Sequence, residues 1–294
     1  MKLLDGKALA SIVLQELAKQ SADIVKSGGR SPHLAAVLVG DHPASLSYVG
    51  NKVKSCETAG FKSTLIHMPG TITQKELLDI VIQLNNDPEV DGYIIQLPLP
   101  RHIDADEILL TIDPRKDVDG FHPENFGRMA QGLPAYLPAT PMGIMTMLER
   151  HHIETSGKRC VVLGRSNIVG TPMALLLSRR GYPGDCTVTI AHSRTENIAE
   201  ICREADILVA ALGQPLFVKE DMVKHGAVVI DVGINRISDS EHPKGYRLVG
   251  DVDYDRVAHK CSAITPVPGG VGPMTVCALM MNTLKAAQGL IYPK

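Results

Sequence analysis

Apolar residues along the chain recur with two alternating patterns, the period of an amphipathic helix and the unbroken run of a buried strand. After Asp5, the residues Leu9, Ile12, Val13 and Leu17 are predicted to share one helix face. "HLAAVLVG" (33–40) reads as a buried strand. "PASLSYVGNKVKSCETAG" (43–60) returns to helical spacing: Pro43 suits a first turn, Gly60 suits a stop, and Leu46, Val49, Val53 and Cys56 form the apolar stripe. "FKSTLIHM" (61–68) predicts a strand, "TQKELLDIVIQLNND" (73–87) a helix, and "DGYIIQL" (91–97) a third strand. The Pro- and Gly-rich stretch 120–141 reads as a loop, and "PMGIMTMLERHH" as a helix leading out of it. The alternation then repeats: "RCVVLG" (159–164), a helix from Pro172, "CTVTIA" (186–191), a helix near 197–203, "DILVAAL" (206–212) and "GAVVIDVG" (226–233). A last helix, "PMTVCALMMNTLKAAQ" (273–288), is apolar on most sides and is expected to pack back onto the first domain.

Strands that alternate with helices predict an α/β protein with parallel sheets covered on both faces. A length of 294 residues suits two such domains. The expected division is residues 1–140 with 273–294 as one domain and 141–272 as the other, a Rossmann-type unit.

Composition narrows the class. The chain is 44% hydrophobic and 21% charged with a net charge of −2, so no basic excess points to nucleic acid or an anionic membrane. Aromatic residues are only 4%, too few for base-stacking platforms. The opening "MKLLDGKALASIV" lacks the apolar core of a signal peptide, and no apolar run has the length of a bilayer span. Six scattered cysteines without a CxxC pair fit reduced thiols in a cytoplasm, and the histidines have no metal-ligand spacing, so no metal is expected.

"VVLGRSNIVGTPMALLL" is a strand, a glycine turn and a helix. Gly164 and Gly170 let the backbone approach a phosphate, and the helix start offers free N–H groups. Ser166 replaces the second glycine of G-x-G-x-x-G, and no Gly-Lys-Ser/Thr follows. An NAD site would place an acid at the end of the next strand, but Asp185 lies before that strand. After it come His192, Ser193, Arg194 and Thr195. With Arg165, these groups suit a 2′-phosphate and favour NADP over NAD; a solvated loop role for Arg194 is the alternative.

Ser45, Tyr48 and Lys52 line one border of the 43–60 stripe. Amphipathic side chains often lie at such borders for packing alone, so both a structural and a chemical reading stand.

Four stretches, "PASLSYVGNK", "DGYIIQLPLP", "KDVDGFHPENFGR" and "ITPVPGGVGPMTV", together with "GRSNIVGTPMA" and "VVIDVGINR", resemble the bifunctional methylenetetrahydrofolate dehydrogenase/methenyltetrahydrofolate cyclohydrolase family in its short bacterial form. The resemblance runs over nearly the whole chain. It implies an N-terminal catalytic α/β domain, a Rossmann-type NAD(P)-binding domain and a cleft between them. It further implies oxidation of 5,10-methylenetetrahydrofolate with NADP, hydrolysis of the methenyl product to 10-formyltetrahydrofolate, and a cytoplasmic homodimer. By resemblance Lys52, Tyr48, Gln96 and Asp119 are catalytic residues. Ser45, Tyr48, Asp119, Pro268, Gly269, Gly270 and Val271 bind substrate, with Asp117 as the rival acid whose other role is turn capping. Gly164, Arg165, Ser166, Ile168, Gly170, His192, Ser193, Arg194, Gly213, Gly233 and Ile234 make the cofactor set. The chain departs from the family at Gly50, where a charged residue is frequent, at Ala139, where many members have Cys, and at Thr171, where Lys is common.

Overall fold

The computed structural model describes residues 1–242 and 245–292; Pro243, Lys244, Pro293 and Lys294, which fall within the two expected domains, lie outside the described residues. The chain forms two compact units. The first comprises Ser11–Ala139 with Val276–Lys294, and the second Met1–Ala10 with Thr140–Thr275. A two-residue strand β1 (Lys2–Leu3) and helix α1 (Gly6–Lys26) open the chain. On α1 the buried hydrophobic residues are Leu9, Ala10, Val13 and Leu17, whereas Ile12 is 53% exposed. The helix turns its face through Ala10, which leaves Ile12 beyond the opposite edge.

The first unit is built on a three-stranded parallel sheet, β2 (His33–Val39), β3 (Lys62–Met68) and β4 (Gly92–Ile95), in the order β3-β2-β4. β2 is central, and all seven of its residues are buried, as its unbroken apolar run requires. Helices α2 (Pro43–Thr58) and α3 (Gln74–Asn86) make the crossovers. α3 starts at a capping box, with the Thr73 side chain accepting from the Glu76 amide and the Glu76 carboxylate accepting from the Thr73 amide. Leu77 and Val81 of α3 pack with Val37, Tyr93 and Ile95 in one core. Two short helices were not expected, α4 (Ala105–Thr111) and α5 (Pro123–Ala130). α5 lies inside the stretch read as a loop; Pro123 starts it, and its buried face, Asn125 and Met129, is too short to show a period.

The second unit resumes in α6 (Ala139–Arg150) and carries β5 (Arg159–Leu163), α7 (Gly170–Ser178), β6 (Thr187–Ala191), α8 (Ile198–Arg203), β7 (Ile207–Ala210) and β8 (Val228–Asp231). A hairpin of β9 (Asn235–Ser238) and β10 (Tyr246–Val249) follows, then α9 (Tyr254–Val257) and β11 (Ala263–Ile264). The main sheet has six parallel strands in the order β1-β11-β8-β7-β5-β6. Residues 1–10 therefore belong to this unit and not to the domain expected for them, because Lys2 and Leu3 pair with Ala263 and Ile264. Two residues are too few to display alternation. The last helix, α10 (Val271–Ala287), contributes its residues from Val276 onward to the first unit, where Asn282 donates to the Val118 and Leu137 carbonyls at 2.8 and 2.9 Å.

Among the described residues, no helix is long and apolar enough to cross a membrane, and no group of three or more His, Cys, Asp or Glu could hold a metal ion.

Candidate active site

Helix α2 leaves the carboxyl end of β2, the edge of an open α/β sheet where ligands bind. Its buried face runs through Ser45, Val49 and Cys56, and Lys52 lies on that same face, half-buried. Leu46, expected in the stripe, is 41% exposed, and Val53 is only half-buried. The face is thus rotated from the expected one, towards the hydroxyl and the amine. Only Tyr48, at 42% exposed, remains at the border.

The Lys52 amine donates to Gln96 Oε1 at 3.0 Å. Gln96 extends β4, its backbone N–H donating to Val37 O at 2.9 Å, and its side-chain Nε2 donates to Leu97 O at 2.7 Å. The amide is thereby oriented with its oxygen towards the lysine. Burial pushes the Lys52 pKa below its ordinary value, and the nearby negative charge of Asp119 opposes that shift. Asp119 in turn has its carboxyl pKa raised by burial, against the pull of Lys52.

Asp119 follows a segment that lies beside β4: Tyr93 pairs with Asp117, and Val118 packs so closely on Gly92 that a side chain there would clash. The two acids of "KDVDG" separate by their bonding. Asp117 is buried, with its carboxylate accepting from the Phe121 and His122 backbone N–H groups at 3.2 and 2.8 Å and from Asn125 Nδ2 at 2.9 Å. These bonds fix the turn. Asp119 is half-buried, and its side chain has no hydrogen bond among the described residues.

In the second unit, the turn after β5 has the geometry of an anion cradle. Gly164 has φ +115°, and a Cβ there or at Gly170 would strike backbone. Ser166 Oγ accepts from the Val169 and Gly170 N–H groups at 3.2 and 3.4 Å, while Arg165, Ser166 and Ile168 are exposed. β6 lies next to β5 in parallel, so the 192–195 turn emerges at the same edge. His192 Nδ1 accepts from the Arg194 N–H at 3.2 Å and the Thr195 hydroxyl from the His192 N–H at 2.9 Å, which closes the turn and leaves Ser193 and Arg194 exposed. His192 is a turn former here.

Gly213 follows β7, and Gly233 and Ile234 follow β8, again at carboxyl ends of the sheet. Ile234 is exposed; Gly233 is buried against the Asp251 carboxylate. The 268–271 loop is strapped to the start of α1 by a bond from the Lys7 N–H to Gly269 O at 2.9 Å. Pro268 is exposed on it, while Gly270 and Val271 are buried. Two further residues at these strand ends, Asp231 and Asp251, escaped the sequence reading. The acids that close "VVID" and follow "LVG" were the available signal.

Two family profiles match the chain: tetrahydrofolate dehydrogenase/cyclohydrolase, catalytic domain, over residues 4–119, and the NAD(P)-binding domain of the same family over residues 138–290. The chain belongs to the tetrahydrofolate dehydrogenase/cyclohydrolase family. Among its relatives, the bifunctional protein FolD of Bacteroides thetaiotaomicron is 60% identical over 292 residues, covering 99% of this chain and 100% of that one. A FolD methylenetetrahydrofolate dehydrogenase/cyclohydrolase from Campylobacter jejuni has a solved structure with a TM-score of 0.92, 46% identity and 99% coverage of both chains. The enzyme from Trypanosoma brucei, solved with NADP and an inhibitor, matches with a TM-score of 0.91 and 40% identity over 98% of this chain and 97% of that one. The family's catalytic-domain match covers α2, β4 and Asp119, and its NAD(P)-binding match covers the glycine turn and the 192–195 turn.

Proposed function

We propose that this protein oxidises 5,10-methylenetetrahydrofolate with NADP and hydrolyses the resulting methenyl compound to 10-formyltetrahydrofolate. The observation that carries this reading is the Lys52 amine: half-buried on α2, held by Gln96 and facing the charge of Asp119. Arg165, Ser166, Ser193 and Arg194 stand exposed at neighbouring strand ends with no acid among them, which fits a dinucleotide bearing a 2′-phosphate. When bound, NADP takes up the hydride, so oxidation asks the protein for alignment alone.

Hydration asks for more. Water adds to the methenyl carbon, one carbon–nitrogen bond of the ring breaks, and a proton is released. A lysine with a lowered pKa has a neutral fraction that accepts this proton. Gln96 keeps the amine in place, and Tyr48, partly exposed, offers a ring to stack on the pterin. Asp119 accepts from the pterin ring N–H and exocyclic amine, whereas the bonds already made to Asp117 leave it the turn. Ser45, Pro268, Gly269, Gly270 and Val271 complete the substrate set, and Gly164, Ile168, Gly170, His192, Gly213, Gly233 and Ile234 the cofactor set. All six cysteines are buried, in keeping with a cytoplasmic enzyme. The 246–252 stretch, which contains β10, is our candidate edge strand for a homodimer, which sedimentation checks.

The decisive assay follows NADPH formation from methylenetetrahydrofolate and, separately, loss of the methenyl compound without cofactor. Both rates well above the uncatalysed background support the reading; oxidation alone reduces the protein to a dehydrogenase, and neither activity overturns it.

A further inference from the structure

Two buried aspartates take no part in the chemistry above. Asp251 is fully buried beyond β10, and Asp231 ends β8 with 3% of its surface exposed. A carboxylate so far from water is tolerated only when N–H groups surround it. Asp251 Oδ2 accepts from the Leu212 and Gly213 backbone N–H groups at 2.6 and 2.9 Å, and Oδ1 from Asn235 Nδ2 at 2.9 Å. Asp231 accepts from the backbone N–H groups of Gly233, Asp251 and Val252 at 3.0, 2.9 and 2.9 Å. Its own N–H donates to Thr265 Oγ1 at 2.7 Å, on the strand end that leads to Pro268.

We propose that Asp251 is a positioning residue for the cofactor surface, resting on the reading that this surface binds NADP. One carboxylate joins the loop after β7, which carries Gly213, to the loop after β8, which carries Gly233 and Ile234. Gly233 is glycine because a Cβ would enter the Asp251 carboxylate, and Gly250 because a Cβ would enter that of Asp231. The backbone after β7 and the chain leaving β8 are therefore tied to one acid. Asp251 reaches the ligand only through them. Removing the carboxylate strands three N–H donors in a buried place, and the loops relax to recover partners.

The two proposed activities separate this role from a merely structural one, because methenyl hydrolysis requires no nucleotide and its proposed proton acceptor lies in the other unit. The full-length protein is compared with Asp251→Ala, Asp251→Asn and Asn235→Ala, with Asp253→Asn, a partner of surface Lys219, as control. NADP affinity is measured by calorimetry, and both activities are assayed. Asp251→Ala is expected to weaken NADP binding roughly tenfold or more, the scale of one stranded buried donor. Oxidation should fall with it, while hydrolysis stays within about twofold, well inside that change. Asn235→Ala should shift binding in the same direction but less. Asp251→Asn should restore part of it, since its one carbonyl can still accept from both backbone amides. Unchanged NADP affinity in the folded variants, or a parallel fall of both activities, overturns the proposal. Should Asp251→Ala fail to fold, NADP affinity of Asn235→Ala decides. A parent protein that binds no NADP overturns the reading of the surface itself.

Discussion

Lys52 lies on the buried face of α2, and its chemistry depends on that placement. Burial favours the neutral amine, Asp119 favours the charged one, and burial is the larger effect. A base whose pKa is lowered in the folded protein loses its proton at a pH below its ordinary 10.5. Hydrolysis should therefore rise with pH along a limb whose midpoint lies below that value, and oxidation should lack the limb. Lys52→Met keeps the stem and removes the amine, so hydrolysis should fall on the order of 10² with the limb abolished, while NADP binding persists. Equal hydrolysis rates in Lys52→Met and the parent would reduce this residue to packing. Gly50, two residues earlier, tests the helix itself. It lies inside α2 with open space where a Cβ would be, so Gly50→Ala should stabilise the protein by about 0.5–1 kcal/mol, read as a higher denaturation midpoint.

Elements were legible in the sequence to the extent that their length let a period show. β2, α3 and β5 stand where the pattern put them, since each is buried along a full run or a full face. β1, at two residues, and α4 and α5, at seven and eight, gave too few repeats, and β9, NRIS, carries a single apolar residue. In α2 the period was read correctly and its phase was not. The expected stripe counted apolar residues only, while the true face admits a serine and a lysine, the lysine donating to Gln96. The Asp251 frame was invisible for a related reason, as hydrogen bonds to backbone leave no periodic mark. The turn elements after β5 and β6 were legible from residue type, and they support a prediction of their own. With Arg165, Ser193 and Arg194 exposed at neighbouring strand ends, Arg194→Ala and Arg165→Ala should each lower the preference for NADP over NAD. The drop should be about tenfold, the scale of one charge-assisted bond. An unchanged ratio of kcat/KM for the two cofactors would return Arg194 to a solvated loop residue.

For the whole molecule, the two units divide the proposed work unevenly, and the division makes lesions sortable. Both proposed reactions need the folate residues, which are Lys52, Gln96 and Asp119 of the first unit and the 268–271 loop of the second, and only oxidation needs the nucleotide proposed for the second unit. A residue that binds folate must then move both activities together. Asp119 is the strongest candidate, because its carboxylate is the one acid of "KDVDG" without a hydrogen bond among the described residues, whereas three donors occupy Asp117. Asp119→Ala should raise KM for both folate substrates about tenfold or more, the loss of a charge-assisted pair of bonds. It should leave NADP affinity untouched. Asp117→Ala should act differently: it strands buried N–H groups and loosens the turn, so its main readout is a lower melting temperature. Measuring KM for each folate, NADP affinity and melting temperature for the two variants separates the roles. If Asp119→Ala spares hydrolysis and depresses only oxidation, the acid serves alignment with the nucleotide instead of folate binding. If the two variants behave alike, the turn and not Asp119 is what the folate site requires.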